Sequence, residues 1–151
     1  FIPCHKCIDN AIHSASGVQL RLECNKIMQE IEILQTGKAF ITKGYNLPSK
    51  YVIHTVGPII YGYVAKKEIL ELKNCYISSL ELAKVNNIKT IAFPCISTGE
   101  FRFPNDLAVD IALSSVNDFL KENKAKNIKI VFNVFKDIDY ELYNKKIKEL
   151  N

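Results

Sequence analysis

The sequence predicts a single α/β domain in which helices cover both faces of a mixed, mainly parallel sheet. Apolar runs rich in β-branched residues alternate along the chain with amphipathic segments of helical period, and this alternation is typical of layered α/β domains. The 151 residues are 48% hydrophobic and 24% charged, so the chain can bury a core of ordinary size. Because no linker, internal repeat or low-complexity segment interrupts residues 1–151, we expect one domain.

The elements are predicted in order from hydrophobic periodicity and turn residues. Apolar residues with mostly helical spacing predict one or two helices between Asp9 and Glu32, interrupted at Gly17. Asn105 or Asp106 is the expected cap of the helix that follows the third strand. Later helices are predicted at residues 66–86, 107–121 and 140–150. Continuous β-rich runs predict strands at residues 38–42, 51–56, 89–94 and 128–135.

Charge and cysteine usage limit the classes of function. The net charge is +4 and the pI about 8.7, but the lysines gather toward the carboxyl terminus on helix faces, so nucleic acid is an unlikely partner. Five cysteines, an odd number, argue against a secreted disulfide framework and favour a reducing, cytoplasmic location. The chain has no signal-peptide pattern and no apolar run near the roughly 18 residues of a membrane span.

The motif C-H-K-C at residues 4–7 places two thiols and an imidazole within four positions. Thiolate and imidazole are the ligands that zinc prefers, but the second ligand pair of a structural zinc site is missing from the sequence. The alternatives are therefore a metal site, a redox pair or inert thiols. Asp9 follows at a predicted helix start, where it could simply be the N-cap. The remaining cysteines, Cys24, Cys75 and Cys95, are isolated and are expected to be buried thiols.

The segment P-C-I-S-T-G-E-F-R-F-P at residues 94–104 joins a predicted buried strand to a predicted helix. Ligands of α/β domains collect beyond the carboxyl ends of strands, where backbone N–H groups and helix N-termini are exposed. Ser97, Thr98 and Gly99 can bring backbone donors close to a phosphate, and Phe101 or Phe103 can flank a sugar or base. The alternative is an ordinary loop whose aromatic residues fill the core. Both His13 and His54 are interpreted as structural histidines.

Several motifs together resemble the macrodomain family in order and spacing. They are I-D-N-A-I-H-S-A-S-G at residues 8–17, T-G-K-A at 36–39, G-Y-N-L-P at 44–48, Y-V-I-H-T-V-G-P at 51–58 and F-P-C-I-S-T-G at 93–99. The resemblance implies a three-layer α/β/α macrodomain that binds ADP-ribose, and many members of the family hydrolyse ADP-ribose from modified proteins. The family's first strands are expected to precede Phe1, because the chain begins in what reads as the middle of the protein.

The resemblance also implies roles for individual residues. Asp9 is similar to the family's catalytic acidic residue beside the distal ribose, with Asn10 next to it. Phe103 would border the distal ribose, and Phe135 matches the position that stacks on adenine. The loop that wraps the diphosphate is matched by Ser97, Thr98, Gly99, Glu100 and Phe101.

The residues before Asp9 resemble one branch of the family that binds zinc. The ligands implied are His5 and Cys7, with Cys4 or a cysteine upstream of Phe1 as the third. The expected function is then zinc-dependent hydrolysis of mono-ADP-ribosylated protein, and the branch resembles enzymes that counter a sirtuin-like transferase acting on a lipoyl carrier protein. Two alternatives stay open: a module that binds ADP-ribose without cleaving it, and a nucleic-acid or nucleotide-binding domain.

Overall fold

The computed structural model describes residues 7–123 and 127–150, apart from the side chain of residue 150. It contains five helices and four strands within these ranges. In chain order the elements are α1 (Ile8–Ser16), α2 (Val18–Ile31), β1 (Ala39–Lys43), β2 (Tyr51–Thr55), α3 (Lys66–Val85), β3 (Thr90–Phe93), α4 (Asn105–Glu122), β4 (Lys129–Phe132) and α5 (Asp137–Leu150).

The predicted helices and strands are confirmed, with differences at their ends. Helix α4 begins at Asn105 and its N-cap is Pro104, so neither Asn105 nor Asp106 has the capping role that we expected. Helix α5 begins three residues earlier than expected. Strand β4 ends at Phe132 instead of residue 135, because its partner β3 offers only four residues for pairing.

The pairing of β1 with β2 is the antiparallel part of the mixed arrangement that the sequence predicts. These strands are antiparallel, with Ala39 opposite Thr55 and Lys43 opposite Tyr51. Only residues 44–50 connect them, which is too short for the crossover that parallel strands need. Gly44 makes this turn possible, because a Cβ at its position would lie 1.9 Å from the Ser49 carbonyl oxygen. The described strands therefore form one antiparallel and one parallel pair.

Strands β3 and β4 form the parallel pair, and α4 makes the crossover between them. The register places Phe93 opposite Phe132, the last residue of each strand. Their rings belong to a continuous aromatic column that reaches into the neighbouring helices: Tyr76 of α3 lies 5.1 Å from Phe93, and Phe132 lies 4.8 Å from Tyr143 of α5, measured between ring centroids. This column fixes α3 and α5 against the parallel pair.

The main core lies around α3 and α4, which pack against each other. Loop residues also contribute to this core, since Ile60, Ile96 and Phe103 are buried within it. The loops that carry them are therefore anchored by apolar burial as well as by hydrogen bonds. Across residues 7–123 and 127–150, no helix has the length and apolar character needed to cross a membrane.

Candidate functional site

Three loops meet at one edge of the structure, beyond the carboxyl ends of the strands. The β3–α4 loop (residues 94–104) follows β3, and residues 133–136 follow its parallel neighbour β4. A third loop, residues 56–65, follows β2, and its Ile60 N–H donates to the Phe101 carbonyl at 2.9 Å. Because neighbouring parallel strands end at the same edge, segments distant in sequence are brought together here.

The β3–α4 loop has a defined conformation held by its own backbone. Phe103 N–H donates to the Ser97 carbonyl at 2.9 Å, and Arg102 N–H donates to the Gly99 carbonyl at 3.0 Å. The Thr98 hydroxyl donates to the Cys95 carbonyl at 3.1 Å. Ser97 and Arg102 have φ values of 64° and 59°, in the left-handed region that L-residues rarely adopt. Such local strain is most common at ligand-binding sites.

Ser97 is packed against the loop that follows β2. A Cβ at Gly57 would lie 2.1 Å from the Ser97 Oγ and 2.8 Å from the Ile96 Cγ2, so this approach requires glycine. The Ser97 Oγ is buried, and no group in the described part of the chain forms a hydrogen bond with it. A buried hydroxyl without a protein partner is uncommon and calls for a ligand or water as its partner.

The side chains of the predicted site differ sharply in exposure. Phe103 is 1% exposed and belongs to the core, as the ordinary-loop alternative expected, so a contact between its ring and a sugar stays a prediction. Phe101 is half-buried, and Glu100 is exposed. A Cβ at Gly99 would meet no atom within 4 Å. Phe135 is 98% exposed, and its ring is therefore available to stack on a planar ligand.

Asp9 lies in the first turn of α1, but it is not the N-cap. That position is held by Cys7, whose φ of −108° and ψ of 157° are extended. The Asp9 side chain is 49% exposed, and its Oδ1 lies 3.5 Å from the Nε2 of His13, one turn further along α1. Asn10 is half-buried beside it. The carboxylate is thus open to solvent on one side and contacts a buried imidazole on the other.

His13 belongs to a buried cluster with Cys24 of α2 and His54 of β2. The ring centroids of His13 and His54 are 5.9 Å apart, and the Cys24 Sγ lies 3.7 Å from the His54 Nε2. The same Nε2 is 2.9 Å from the Thr42 hydroxyl, and Phe40 stacks on the His54 ring. Cys24 is therefore buried as expected, but it is not isolated. The cluster ties α1, which carries Asp9, to the sheet.

Burial favours the neutral forms of His54 and Cys24. It lowers the pKa of His54 to about 4, with a further contribution from His13. Burial raises the pKa of Cys24 to about 11, helped by the charges of Asp9 and Glu23. Burial also raises the pKa of Cys75, and it raises that of Cys95 to about 12 with the help of Asp139. Thiols of this kind are not reactive thiolates at neutral pH.

The expected zinc ligands are only partly within the described residues. Cys4 and His5 lie outside them, and Cys7 is half-buried directly before α1. In the described ranges, the histidine, cysteine and acidic side chains include one group of three whose ligand atoms all lie within 4.8 Å of one another: His13, Cys24 and His54. Because these residues contact one another and their neighbours as a buried hydrogen-bonded cluster, we assign them a structural role.

Asp139 was not recognised from the sequence as a site residue. Its carboxylate is 2% exposed, and its Oδ1 accepts a hydrogen bond from the Asn105 Nδ2 at 2.5 Å. The same carboxylate also interacts with the Cys95 thiol and helps to raise the pKa of that thiol. The signal in the sequence was the acidic pair Asp137 and Asp139 at the start of the last helix, which predicts only a favourable interaction with the helix dipole.

A strained, hydrogen-bonded loop and an exposed aromatic residue at the carboxyl edge of parallel strands define an α/β ligand-binding domain. Two of the motifs that resemble the macrodomain family, residues 51–58 and 93–99, lead into the loops at this edge. The chain belongs to this family: the Macro domain model matches residues 2–112.

Relatives with assigned names extend the match over almost the whole chain. A protein-ADP-ribose hydrolase of Treponema medium is 54% identical over 144 residues, which cover 95% of this chain and 55% of the relative. A protein-ADP-ribose hydrolase of Staphylococcus aureus is 50% identical over 92% of this chain and 53% of the relative. The human ADP-ribose glycohydrolase MACROD2 is 46% identical over 94% of this chain and 32% of its own length. The chain thus spans about half the length of the bacterial relatives.

Solved structures of the family have the same fold. The macrodomain of Oceanobacillus iheyensis with ADP superposes with a TM-score of 0.88 at 39% identity, covering 95% of this chain and 76% of that one. The Trypanosoma brucei macrodomain in complex with ADP-ribose gives a TM-score of 0.82 at 37% identity, covering 93% of this chain and 56% of that one. The expected macrodomain α/β fold is therefore confirmed.

The buried His54 predicts a loss of stability in mild acid. Its pKa is about 4 in the folded protein, whereas the ordinary pKa of a histidine is 6.5, so below pH 6.5 the unfolded chain binds a proton that the folded chain excludes. Between pH 7 and pH 5 this difference lowers the free energy of unfolding by about 2 kcal/mol. Urea unfolding at both pH values should show a smaller decrease for His54→Gln than for the unaltered protein; equal decreases would contradict this origin.

Proposed function

We propose that this protein is a zinc-dependent macrodomain hydrolase that removes ADP-ribose from mono-ADP-ribosylated protein. The observation that carries the proposal is the convergence of the β3–α4 loop and the segment that carries the exposed Phe135 at the carboxyl edge of the parallel strands. The proposal draws further support from relatives that are named protein-ADP-ribose hydrolases and align with more than nine-tenths of this chain.

The β3–α4 loop is the proposed site of the diphosphate. Ser97, Thr98 and Gly99 form its small-residue corner, and Gly99 leaves open space above the backbone for a close approach. Because the Ser97 Oγ itself is buried, the phosphate oxygens are proposed to meet the backbone N–H groups of this corner. Phe101, Glu100 and Phe103 complete the proposed pocket wall, and Phe135 is the proposed platform for adenine.

Asp9 is the proposed catalytic carboxylate. Hydrolysis breaks the bond between the ribose C1 atom and the modified protein, and the attacking water must lose a proton as its oxygen bonds to that carbon. A half-exposed carboxylate can accept this proton, and Asp9 has the required exposure. The contact with His13 fixes the orientation of the carboxylate, while Asn10 is the proposed partner of a ribose hydroxyl.

The residues before Asp9 fit a zinc ion in their chemistry. Cys7 precedes the first residue of α1, where the positive end of the helix dipole stabilises an anionic ligand atom. We propose His5 and Cys7 as ligands, with Cys4 or an upstream cysteine as the third. When bound there, zinc would supply Lewis acidity and orientation beside the distal ribose.

The proposed partners are ADP-ribose and mono-ADP-ribosylated proteins, among them a lipoyl carrier protein. The proposed location is cytoplasmic, and it is supported by the odd number of cysteines, five, which does not suit a secreted disulfide framework. The alternative function is a module that binds ADP-ribose without cleaving it, with Asp9 only positioning a ribose hydroxyl. Turnover distinguishes the two functions, because only the hydrolase releases ADP-ribose from modified protein.

Turnover and metal content together test the proposal. We expect the full-length protein to release ADP-ribose from mono-ADP-ribosylated protein and to lose this activity with a chelator. Asp9→Asn should keep zinc and ADP-ribose binding but lose turnover by roughly 100-fold or more, as expected for a general base. His5→Ala and Cys7→Ser should lose zinc and most turnover.

Three results would decide against parts of this proposal. Binding without turnover in the unaltered protein would favour the reader function. Unaltered protein without zinc would remove the metal site, and full turnover by a zinc-free Cys7→Ser variant would restrict zinc to a structural role.

Gly99→Val tests the diphosphate site. The new side chain would point into open space, so the fold should be unaffected, while the ligand would lose its close approach to the loop backbone. We expect a loss of ADP-ribose binding by calorimetry with an unchanged unfolding midpoint. Gly99→Ala is the milder control, and normal affinity in folded Gly99→Val would contradict the placement of the diphosphate.

Phe135→Ala tests the adenine platform. Stacking of a base on an aromatic ring contributes about 1–3 kcal/mol to the free energy of binding, and we expect Phe135→Ala to lose this contribution. Because the ring is 98% exposed, the free energy of unfolding should stay within about 0.5 kcal/mol. Phe135→Tyr keeps a stacking surface and should bind normally. Equal affinities for Phe135→Ala and the unaltered protein would place adenine elsewhere.

A further inference from the structure

Asp139 is a buried carboxylate that contacts both ends of the β3–α4 loop. At the end of the loop the Asn105 amide donates to its Oδ1 at 2.5 Å, and at the start of the loop its carboxylate is close enough to the Cys95 thiol to help raise the pKa of that thiol. The two partners are ten positions apart and enclose the whole small-residue corner. One side chain on α5 therefore closes a loop that begins at β3 and ends at α4.

The burial of this group needs a reason, because a buried ionised carboxylate is costly unless it is fully hydrogen-bonded. Asp139 is only 2% exposed. The positive end of α5 offsets part of the cost, since Asp139 is the third residue of that helix. The two side-chain donors offset more of it. An apolar residue could fill the same volume at lower cost, so the packing of α5 alone does not explain a carboxylate here.

The position of Asp139 also links the loop to the opposite wall of the proposed pocket. Helix α5 begins two residues after Phe135, and its Tyr143 packs on Phe132 at the end of β4. A displacement of the start of α5 would therefore move Phe135 relative to the β3–α4 loop. The contacts of Asp139 connect the segments proposed to hold adenine and diphosphate.

We propose that Asp139 is a positioning residue, which holds the β3–α4 loop and the Phe135 segment in register and thereby sets the affinity for ADP-ribose. This inference rests on the proposed ADP-ribose site. It assigns Asp139 no contact with the ligand. Its effect passes through Cys95 and Asn105 at the two ends of the loop.

Asp139→Asn is the first test, with Asp137→Asn as the matched control in the same turn of α5 but exposed. An amide offers one oxygen where the carboxylate offers two, and it lacks the charge that strengthens both bonds. We expect the dissociation constant for ADP-ribose, measured on folded protein, to rise roughly tenfold in Asp139→Asn. It should be unchanged in Asp137→Asn.

The double substitution Asn105→Asp with Asp139→Asn restores the bonds with exchanged partners. The amide introduced at position 139 can accept from the Cys95 thiol and donate to the carboxylate introduced at position 105. A carboxylate at the first residue of α4 is also compatible with the helix dipole. We expect this exchange to return the affinity to within about threefold of the unaltered protein.

A measurement without ligand separates this inference from the proposed function. Hydrogen exchange at the amides of Arg102 and Phe103, which bond within the loop, should accelerate roughly tenfold in Asp139→Asn and recover in the exchanged pair. Unchanged exchange together with unchanged ADP-ribose affinity in Asp139→Asn would overturn the inference, as would lost affinity that the exchanged pair does not restore. If the unaltered protein fails to bind ADP-ribose, the proposed function fails, while accelerated exchange would still support the positioning of the loop.

Discussion

The parallel pairing of β3 with β4 is the constraint on which the candidate site depends. The register places Phe93 opposite Phe132, so both strands end at the same level and their following segments leave from one edge. Packing of Tyr76 on Phe93 and of Tyr143 on Phe132 opposes a slip of the register. The Macro domain model ends at residue 112, yet the strand that brings Phe135 to the edge lies beyond it.

Local patterns were sufficient to predict the elements of this fold. Helical periodicity is continuous through α3, and the β-rich run of β2 is bounded by proline and glycine, so both could be identified without tertiary information. The sequence analysis assigned no direction to the pairing of β1 with β2. The seven residues between them already exclude a crossover, and this length was the informative feature. The early end of β4 depends on the length of its partner, which no local pattern reveals.

The sequence predicted the part of the candidate site whose residues follow one another in the chain. The small-residue corner at Ser97 could be recognised because strand, corner and helix follow one another directly in sequence. The contacts that hold this site in place join residues far apart: 30 positions separate Cys24 from His54, and 34 separate Asn105 from Asp139. A histidine within a strand and an acidic residue at a helix start have ordinary local explanations, so their long-range partners emerge only from the fold. The same holds for Phe103, whose burial follows from the neighbouring helices.

The shared carboxylate of Asp139 has a consequence for how such a sequence can diverge. Because one group serves two donors, positions 95, 105 and 139 form a chemical unit even though they lie in a loop and two different helices. A lineage that exchanges the carboxylate for an amide keeps its contacts only if a neighbour changes in the complementary direction. Natural variation among descendants should therefore alter these three positions jointly, and their correlated history would be recorded in the sequences themselves.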